Sequence, residues 1–206
     1  MPICPLCQNI SEPFYKDEFY ECLCCGGIFR PKEKLLDEEK EKERYDSHTN
    51  NSDDLGYQNF VSPITNVILK EYKKENLGLD FGCGKDSPIM KILRQNQYRI
   101  FGYDPYFFPD LKLLEQKYDY IACCEVIEHF YNPKKEFELL KSLLKEGGTL
   151  YLMTGIYKDT IDFSKWWYKN DLTHVFIFRE KTFEWILKEF EFRNIYIVNN
   201  FIKIIK

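Results

Sequence analysis

Two CxxC turns near the N-terminus place four thiols where they could bind one metal ion. Cys4 and Cys7 form the first turn, and Cys22 and Cys25 form the second, after fourteen intervening residues. Four thiolates complete a tetrahedral zinc shell and leave no open position, so the pattern predicts a structural rather than a catalytic Zn²⁺. Disulfides or a redox-active CxxC pair are weaker alternatives. Cys24 could replace Cys22 or Cys25 as a ligand, and we interpret it as a spare thiol.

The cysteine site predicts a small N-terminal module, because metal binding lets a short segment fold without a core of its own. Paired CxxC turns with a glycine after the second are typical of zinc ribbons, so we predict a zinc ribbon over residues 1–31. Residues 32–56 follow as a charged helix or linker. Eleven of the thirteen residues in Lys32–Arg44 are charged with the signs interleaved, which is typical of a solvated surface. Residues 57–206 form the third predicted unit.

A glycine-containing loop and a later aspartate form a candidate cofactor site. Residues 79–84 read LDFGCG, and Asp104 follows Gly84 by twenty residues. Glycines after a strand let the backbone approach a cofactor, and a carboxylate at that distance can bind the hydroxyls of an adenosine ribose. No third glycine follows Gly84, which disfavours a dinucleotide. A cofactor with a ribose but no pyrophosphate fits better, and the alternative is a helix cap beside an unrelated surface aspartate.

A second polar cluster could bind a divalent ion or move a proton. Glu125, Glu128 and His129 follow an apolar run, and His174 comes 45 residues after His129. Two carboxylates and two imidazoles could bind one divalent ion, which would lower the pKa of a substrate hydroxyl. Without a metal, His129 or His174 is the candidate general base. The alternative is that Glu128 caps a helix and His129 packs nearby.

The elements that must position these residues alternate between strand and helix from residue 77 onward. This order predicts a doubly wound α/β sheet with an antiparallel hairpin at its end. The predicted strands are Leu77–Phe81, Tyr98–Tyr103, Tyr118–Cys124, Thr149–Thr154, Phe192–Val198 and Phe201–Ile205. The predicted helices are Asp86–Gln95, Pro133–Lys145 and Lys181–Phe190. Ligands bind such sheets at the carboxyl ends of the strands, where both polar sites are expected.

Four motifs in order resemble the class I S-adenosylmethionine (SAM)-dependent methyltransferases. LDFGCG resembles the family's first motif, GYDP its ribose-binding acid, YDYIACCEVIEHF its fourth strand and exit, and LLKEGGTLYLMT its fifth strand with the preceding glycine turn. The resemblance runs from about residue 57 to the last residue and implies a Rossmann-like fold, SAM as cofactor and methyl transfer as the activity. The cofactor contacts that it implies are Asp80, Phe81, Gly82, Gly84, Asp104, Pro105 and Cys124.

The resemblance also bears on the second polar cluster. The ExxEH motif is similar to the magnesium-binding set of small-RNA 2′-O-methyltransferases and of the O-methyltransferases of ubiquinone synthesis. Both use a later histidine, for which His174 is the candidate.

Only thirteen residues, 106–118, separate GYDP from Asp119, so the family's third strand and helix are expected to be shortened. We therefore assign no adenine contact there.

Two further segments could cover the site. Aromatic residues in Trp166–Lys169 could stack on an acceptor, or could pack as a lid on the sheet. Upstream, YDSHTNNSDDLGYQNF resembles the segment before the first motif in some relatives. This resemblance implies that Tyr45, His48 and Tyr57 could close over the methyl donor, with a packed entry helix as the alternative.

Charge limits the choice of acceptor. The formal net charge of −4 disfavours a protein that binds nucleic acid by bulk electrostatics. The leading prediction is therefore a SAM-dependent methyltransferase acting on a small molecule, at a hydroxyl oxygen. The first alternative is an RNA methyltransferase that docks through the ribbon. The arrangement resembles that of a bacterial family of ribosomal RNA guanine methyltransferases, which also has an N-terminal zinc site before this fold. Its basic patch would be Lys16, Arg30, Lys32 and Lys34. The second alternative is a non-catalytic zinc-ribbon scaffold.

Location and partners are constrained by what the sequence lacks. No run of about 18 apolar residues occurs, so no membrane span is expected. The first ten residues, MPICPLCQNI, lack the basic-then-apolar pattern of a signal peptide, so we expect a cytoplasmic protein. No pattern in the sequence indicates an oligomeric state.

Overall fold

The computed structural model describes residues 1–47 and 51–206 and arranges them around two β-sheets. Short 3₁₀ helices join the longer elements, among them Ile127–His129. The strands are β1 (Ser11–Tyr15), β2 (Phe19–Cys22), β3 (Ile28–Phe29), β4 (Leu77–Phe81), β5 (Arg99–Tyr103), β6 (Tyr118–Cys124), β7 (Leu144–Met153), β8 (Phe176–Ile177), β9 (Asn194–Val198) and β10 (Phe201–Ile205). The α-helices are α1 (Glu38–Asp46), α2 (Leu55–Glu71), α3 (Pro88–Gln95), α4 (Pro133–Leu143) and α5 (Glu180–Glu189).

The larger sheet has the strand order β5-β4-β6-β7-β10-β9. Strands β5, β4, β6 and β7 are parallel, whereas β10 runs antiparallel to both β7 and β9. The chain leaves β4 toward β5 on one side and returns to β6 on the other, so a crevice forms at the carboxyl end of β4. The predicted α/β sheet with a terminal antiparallel hairpin is confirmed.

Residues of β6 alternate between the two faces of this sheet. Tyr120 and Ala122 pack with α2 and α3, whereas Ile121 and Cys123 belong to the core on the opposite face. All four are fully buried, as expected for a central parallel strand with helices on both sides. The sheet thereby gives rigid support to the loops at its carboxyl edge.

The junction between α4 and β7 differs from the prediction. Helix α4 ends at Leu143 rather than at Lys145, and β7 begins at Leu144 rather than at Thr149. Leu144 is fully buried and pairs with Tyr118, which ends the helix early. The next pair joins Tyr120 to Thr149, so the intervening residues form an irregular bulge.

The connection from β5 to β6 is short. Residues 104–117, all of which the structure describes, contain a 3₁₀ helix, Leu111–Glu115, and a single bridge between Asp104 and Phe108. The family's third strand is therefore reduced to a turn, and β5 is an edge strand of the sheet.

The smaller sheet joins the N-terminal ribbon to the rest of the chain. Its order is β1-β2-β3-β8, and β8 comes from the segment between β7 and α5. Phe29 of β3 stacks on Phe176 of β8 with ring centroids 6.4 Å apart.

Arg30, predicted to belong to a basic patch, is only 6% exposed, so that assignment is wrong. Domain boundaries near residues 31 and 56 remain a prediction.

The charged segment forms α1, with Asp37 capping its first turn. Most of its side chains are exposed, but Glu41 is buried. The Glu41 carboxylate accepts hydrogen bonds from the hydroxyls of Tyr45 (2.9 Å) and Tyr106 (3.0 Å). One face of this helix therefore contacts the turn after β5 rather than water.

In residues 1–47 and 51–206, every helix is too short or too polar to cross a bilayer.

We expect Gly27→Ala to weaken the contact between the ribbon and β8. A Cβ at Gly27 would lie 2.2 Å from Cζ of Phe176, so the ring stack must shift. Overpacking of this kind costs about 1–3 kcal/mol in the free energy of unfolding, measurable by urea denaturation. Leu23→Ala, at a position 52% exposed on the same ribbon, is the control and should change it by less than about 0.5 kcal/mol. Equal stability of the two variants would contradict the packing described here.

Candidate active site

A cavity of about 960 Å³ opens at the carboxyl ends of β4, β5 and β6. The glycine loop, the turn after β5, the exit of β6, α1 and the segment around residue 171 form its walls. Six of the seven residues predicted to contact the cofactor line it: Phe81, Gly82, Gly84, Pro105, Asp104 and Cys124. The seventh, Asp80, lies beneath the loop and is 3% exposed.

Gly82 occupies a position that a larger residue could not. Its φ is +76°, a left-handed conformation that side chains with a Cβ disfavour. A Cβ there would also lie 2.5 Å from Cγ2 of Val126. The loop therefore passes close to the exit of β6, and at Gly82 it presents backbone to the cavity.

Asp104 organises the turn after β5. Its Oδ2 accepts a hydrogen bond from the N–H of Gly84 (3.0 Å). Its Oδ1 accepts from the N–H groups of Tyr106 (2.9 Å) and Phe107 (3.1 Å). Each carboxylate oxygen can accept two hydrogen bonds, so Oδ2 retains capacity for a ligand hydroxyl. The carboxylate thus connects the glycine loop to the turn after β5 and still faces the cavity.

Asp80 supports the glycine loop from below. The Ser87 hydroxyl, which caps α3, donates to Oδ2 of Asp80 at 2.5 Å. Burial raises the pKa of Asp80 to about 7, and the hydrogen bond from Ser87 opposes that shift. The carboxyl group therefore holds the start of α3 and does not line the cavity.

A pair of carboxyl groups lies at the exit of β6. Burial, followed by the charge of Glu128, raises the pKa of Glu125 to about 9. Burial likewise raises the pKa of Glu128, which is fully buried. Glu125 also has a φ of +52°, an unfavourable conformation for a residue with a side chain. Strain and raised pKa values commonly accompany functional sites, and here both occur on the cavity wall.

Glu128 anchors the aromatic segment. The Tyr168 hydroxyl donates to its Oε1 (2.6 Å), and the Thr154 hydroxyl donates to its Oε2 (2.9 Å). The same Tyr168 oxygen accepts from the N–H of Gly155 (3.0 Å). Tyr168 is therefore a buried bridge between the exits of β6 and β7, whereas Trp167 beside it is 69% exposed and lines the cavity.

His129 and His174 lie side by side, with ring centroids 4.9 Å apart. Nδ1 of His129 is 2.9 Å from the carbonyl oxygen of Thr173, and Nδ1 of His174 is 2.7 Å from that of Tyr168. A carbonyl can only accept, so Nδ1 carries the hydrogen in both rings and Nε2 carries the lone pair of the neutral form. Burial lowers the pKa of His174, which favours its neutral form.

The predicted divalent-ion ligands are partly brought together. One ligand atom each of Glu128, His129 and His174 lies within 4.8 Å of the others, while Glu125 is not part of that group. Two imidazoles and one carboxylate match transition metals such as Fe²⁺ or Zn²⁺. Mg²⁺ prefers an all-oxygen octahedral shell, so this donor set does not fit the predicted magnesium ion.

Helix α1 closes one side of the cavity. Arg44 pairs with Asp171 (2.7 Å), and Lys85 pairs with Asp46 (2.9 Å). Although burial raises the pKa of Asp171, hydrogen bonds from Arg44 and Thr173 outweigh it and hold that pKa below its usual value. Of the residues suggested to close over the methyl donor, Tyr45 and Tyr57 line the cavity. His48 lies outside the described residues.

The four predicted zinc ligands converge at the base of the ribbon. Sγ atoms are 3.7 Å apart for Cys4 and Cys25, and 3.1 Å apart for Cys7 and Cys22. All four lie within 4.8 Å of one another, close to the spacing of about 3.8 Å in a tetrahedral zinc–thiolate site. Cys24 is exposed, in keeping with a spare thiol.

Comparison with known proteins agrees with this geometry. A family model described as a methyltransferase domain matches residues 55–197, more than half of the chain. The chain belongs to this methyltransferase family. The predicted SAM-dependent methyltransferase family and fold are confirmed. No curated protein matches the methyltransferase.

Solved structures resemble the methyltransferase at low identity. The 1,6-didemethyltoxoflavin-N1-methyltransferase of Burkholderia thailandensis, solved with its substrate and S-adenosylhomocysteine, has a TM-score of 0.56 and 13% identity, covering 92% of this chain and 99% of its own. Magnesium protoporphyrin IX methyltransferase of Synechocystis, solved with S-adenosylhomocysteine, has a TM-score of 0.53 and 15% identity, covering 82% and 93%. A SAM-dependent methyltransferase of Archaeoglobus fulgidus has a TM-score of 0.53 and 17% identity, covering 77% and 75%. These similarities show the fold.

Sequence reasoning named Tyr45 of α1 but missed the contributions of Glu41 and of the ribbon to the site. Glu41 lines the cavity although its segment reads as a solvated run of charges. Glu41 and Tyr45 are four residues apart, one helical turn, and this spacing could have indicated that their side chains meet. Arg30 had no comparable signal for its contact with the site, because it pairs with Glu18 inside the ribbon (3.7 Å) while the carbonyls that it binds, those of Lys169 and Val175, lie far along the chain.

We expect the stability difference between Asp80→Asn and the wild type to depend on pH. The carboxyl group keeps its proton up to about pH 7 when folded, but loses it near pH 4 when unfolded. The folded state binds more protons between these values, so its stability falls as pH rises through that window.

Between pH 5 and pH 8, the titration of Asp80 should lower the free energy of unfolding of the wild type by about 2–3 kcal/mol. Asp80→Asn should not show this decrease. Urea denaturation of both proteins at both pH values measures this decrease. The contributions of other titrating groups cancel when the two proteins are compared at the same pH. A difference that is the same at pH 5 and pH 8 would contradict a protonated, buried Asp80.

Proposed function

We propose that the protein transfers a methyl group from SAM to a hydroxyl oxygen of a small-molecule acceptor. The observation that carries this proposal is that Asp104, the glycine loop and the imidazoles of His129 and His174 face one cavity. A cofactor site and a proton-accepting site therefore share one volume at the edge of a methyltransferase sheet. A cytoplasmic location stays a prediction.

The residues that would hold the cofactor follow from the geometry. The backbone at Gly82 and Gly84 leaves room for the methionine end, and Oδ2 of Asp104 retains acceptor capacity for a ribose hydroxyl. Pro105 and Cys124 would contribute the flanking walls. Bound SAM supplies the methyl group, which is transferred as the acceptor oxygen loses its proton.

The proposed general base is His174, assisted by His129. In both rings the hydrogen is fixed on Nδ1 by a backbone carbonyl, so the lone pair of the neutral ring is on Nε2, and at His174 it can take the proton of an acceptor hydroxyl. The lowered pKa of His174 keeps it neutral near pH 7, as a base requires. A transition metal held by Glu128, His129 and His174 is the competing role, and it would bind the acceptor oxygen instead.

The charge of the cavity supports a small acceptor over RNA. Among the described residues that line it, seven are carboxylic acids and one is a lysine. A phosphate backbone would be repelled by such a lining. The two ligand-bound relatives described above are named for small-molecule substrates, in keeping with this choice. With Arg30 buried, only Lys16, Lys32 and Lys34 remain of the predicted basic patch.

We further propose that Cys4, Cys7, Cys22 and Cys25 bind a structural Zn²⁺. Their sulfur atoms lie at distances that a tetrahedral zinc ion requires, and three of the four are fully buried. Zinc would then supply folding free energy to the ribbon and, through the smaller sheet, to β8.

Elemental analysis tests the zinc proposal. Purified protein should contain about one Zn²⁺ per chain, Cys4→Ser should lose most of it, and chelation should lower the melting temperature. Cys24→Ser, at the exposed neighbouring thiol, should retain the metal. Loss of zinc from Cys24→Ser, or its retention in Cys4→Ser, would reject the assignment.

Label transfer tests the function. Zinc-loaded protein is incubated with methyl-labelled SAM and with the RNA, protein and small-molecule fractions of a cell extract. Label should enter the small-molecule fraction. Asp104→Asn should weaken binding of S-adenosylhomocysteine in calorimetry by at least about tenfold, or about 1.4 kcal/mol, because it loses a charged acceptor. Asp17→Asn, on the exposed turn between β1 and β2, is the matched control.

The other outcomes separate the alternatives. Label in RNA, with steep inhibition by salt, would favour the docking hypothesis. The absence of a heat of binding for S-adenosylhomocysteine in calorimetry would favour the non-catalytic scaffold. Activity unchanged by EDTA, with the ribbon zinc retained, would exclude a metal at His129 and His174.

A further inference from the structure

Arg30 connects the ribbon to the segment that carries His174. Its backbone N–H donates to the carbonyl of Val175 (2.9 Å), and its guanidinium donates to the carbonyl of Lys169 (2.8 Å). The side chain is almost fully buried, and the guanidinium lies 4.3 Å from the ring centroid of Phe19. The backbone of Arg30 therefore holds the segment 169–175 at Val175, and its guanidinium holds it at Lys169, so only the second contact depends on the side chain.

The other side of that segment is held by the 3₁₀ helix at the exit of β6. The N–H of Val175 donates to the carbonyl of Glu128 (2.9 Å), and the carbonyl of Thr173 accepts from Nδ1 of His129 (2.9 Å). The segment is thus fixed between Arg30 and the cavity wall, and its backbone carbonyls face both imidazoles.

We propose that Arg30 is a positioning residue for the histidine pair. By holding residues 168–175, it keeps the carbonyls of Tyr168 and Thr173 where they select the Nδ1–H form of both imidazoles. The inference rests on the proposed function, because a base in this cavity needs the Nε2 lone pair. The ribbon would then act in catalysis through geometry, without touching the acceptor.

The lengths of the hydrogen bonds to the imidazoles explain why a small displacement of the Tyr168 and Thr173 carbonyls matters. The two hydrogen bonds to Nδ1 measure 2.7 and 2.9 Å, and an N–H···O bond lengthened by about 1 Å contributes little. Once the carbonyls move away, the two neutral forms of imidazole compete, and a fraction of each ring has its lone pair directed away from the acceptor.

Arg179 provides a matched control. It also joins the ribbon to the segment after β7, through ion pairs with Glu21 (3.2 Å) and Asp159 (2.9 Å). Its guanidinium likewise lies over the aromatic rings of Phe14 and Tyr157. The hydrogen bonds and ion pairs of its side chain go to Glu21 and Asp159, and not to Lys169 or Val175. Arg179 therefore shares the interface of Arg30 without the proposed role.

The experiment compares Arg30→Met, Arg30→Lys and Arg179→Met in the full chain. Histidine ¹⁵N NMR spectra, assigned by single histidine substitutions, report which ring nitrogen carries the hydrogen and need no acceptor. S-adenosylhomocysteine affinity and label transfer with the small-molecule fraction are measured on the same samples. Wild type and Arg179→Met should show the Nδ1–H form for His129 and His174.

Arg30→Met should show mixed forms and at least tenfold slower label transfer, with cofactor affinity changed less than about twofold. Arg30→Lys, which keeps a positively charged donor group without the planar guanidinium, should fall between wild type and Arg30→Met. A wild-type histidine spectrum in Arg30→Met, or an equal change in Arg179→Met, would overturn the proposal. Should Arg30→Met not fold, a wild-type spectrum in Arg30→Lys overturns it. Absence of cofactor binding in the wild type would instead reject the proposed function.

Discussion

Parallel pairing of β4 with a strand on each side is the constraint on which the site depends. Because β5 and β6 run in the same direction as β4, three strands end at one edge of the sheet. The glycine loop, Asp104 and Glu125 come from three different strands, yet all line one cavity. Because the connection after β5 is short, no strand lies on the outer side of β5, where the family's third strand would be. Helix α1 occupies part of the boundary there, through the contact between Glu41 and Tyr106.

Most of the larger sheet could be predicted from the sequence, because local signals agreed with the final packing. Strands β4, β6 and β10 have the predicted bounds, and α3 ends at the predicted residue, Gln95. The central parallel strands are mostly apolar, and strand ends are marked by glycine after β4 and by Asp-Pro after β5. These patterns depend on neighbouring residues and need no knowledge of distant contacts.

What could not be predicted depends on contacts between distant parts of the chain. Strand β8 has two residues, too few for any periodicity, and it exists because β3 lies beside it. Arg30 reads as a surface cation, and only tertiary structure supplies the carbonyls that let it be buried. Likewise, spacing in the sequence cannot tell that His129 and His174 meet while Glu125 stays outside their group.

The shared smaller sheet has a consequence for how this protein can evolve. A ribbon that formed its own closed unit could be gained, lost or exchanged by recombination without damage to the neighbouring domain. Here β3 and β8 complete one another, and the stacked rings of Phe29 and Phe176 lie across the junction. An ancestral exchange that brought in a new ribbon would have needed compatible changes more than a hundred residues away. The two segments are therefore expected to be inherited together and to change in step.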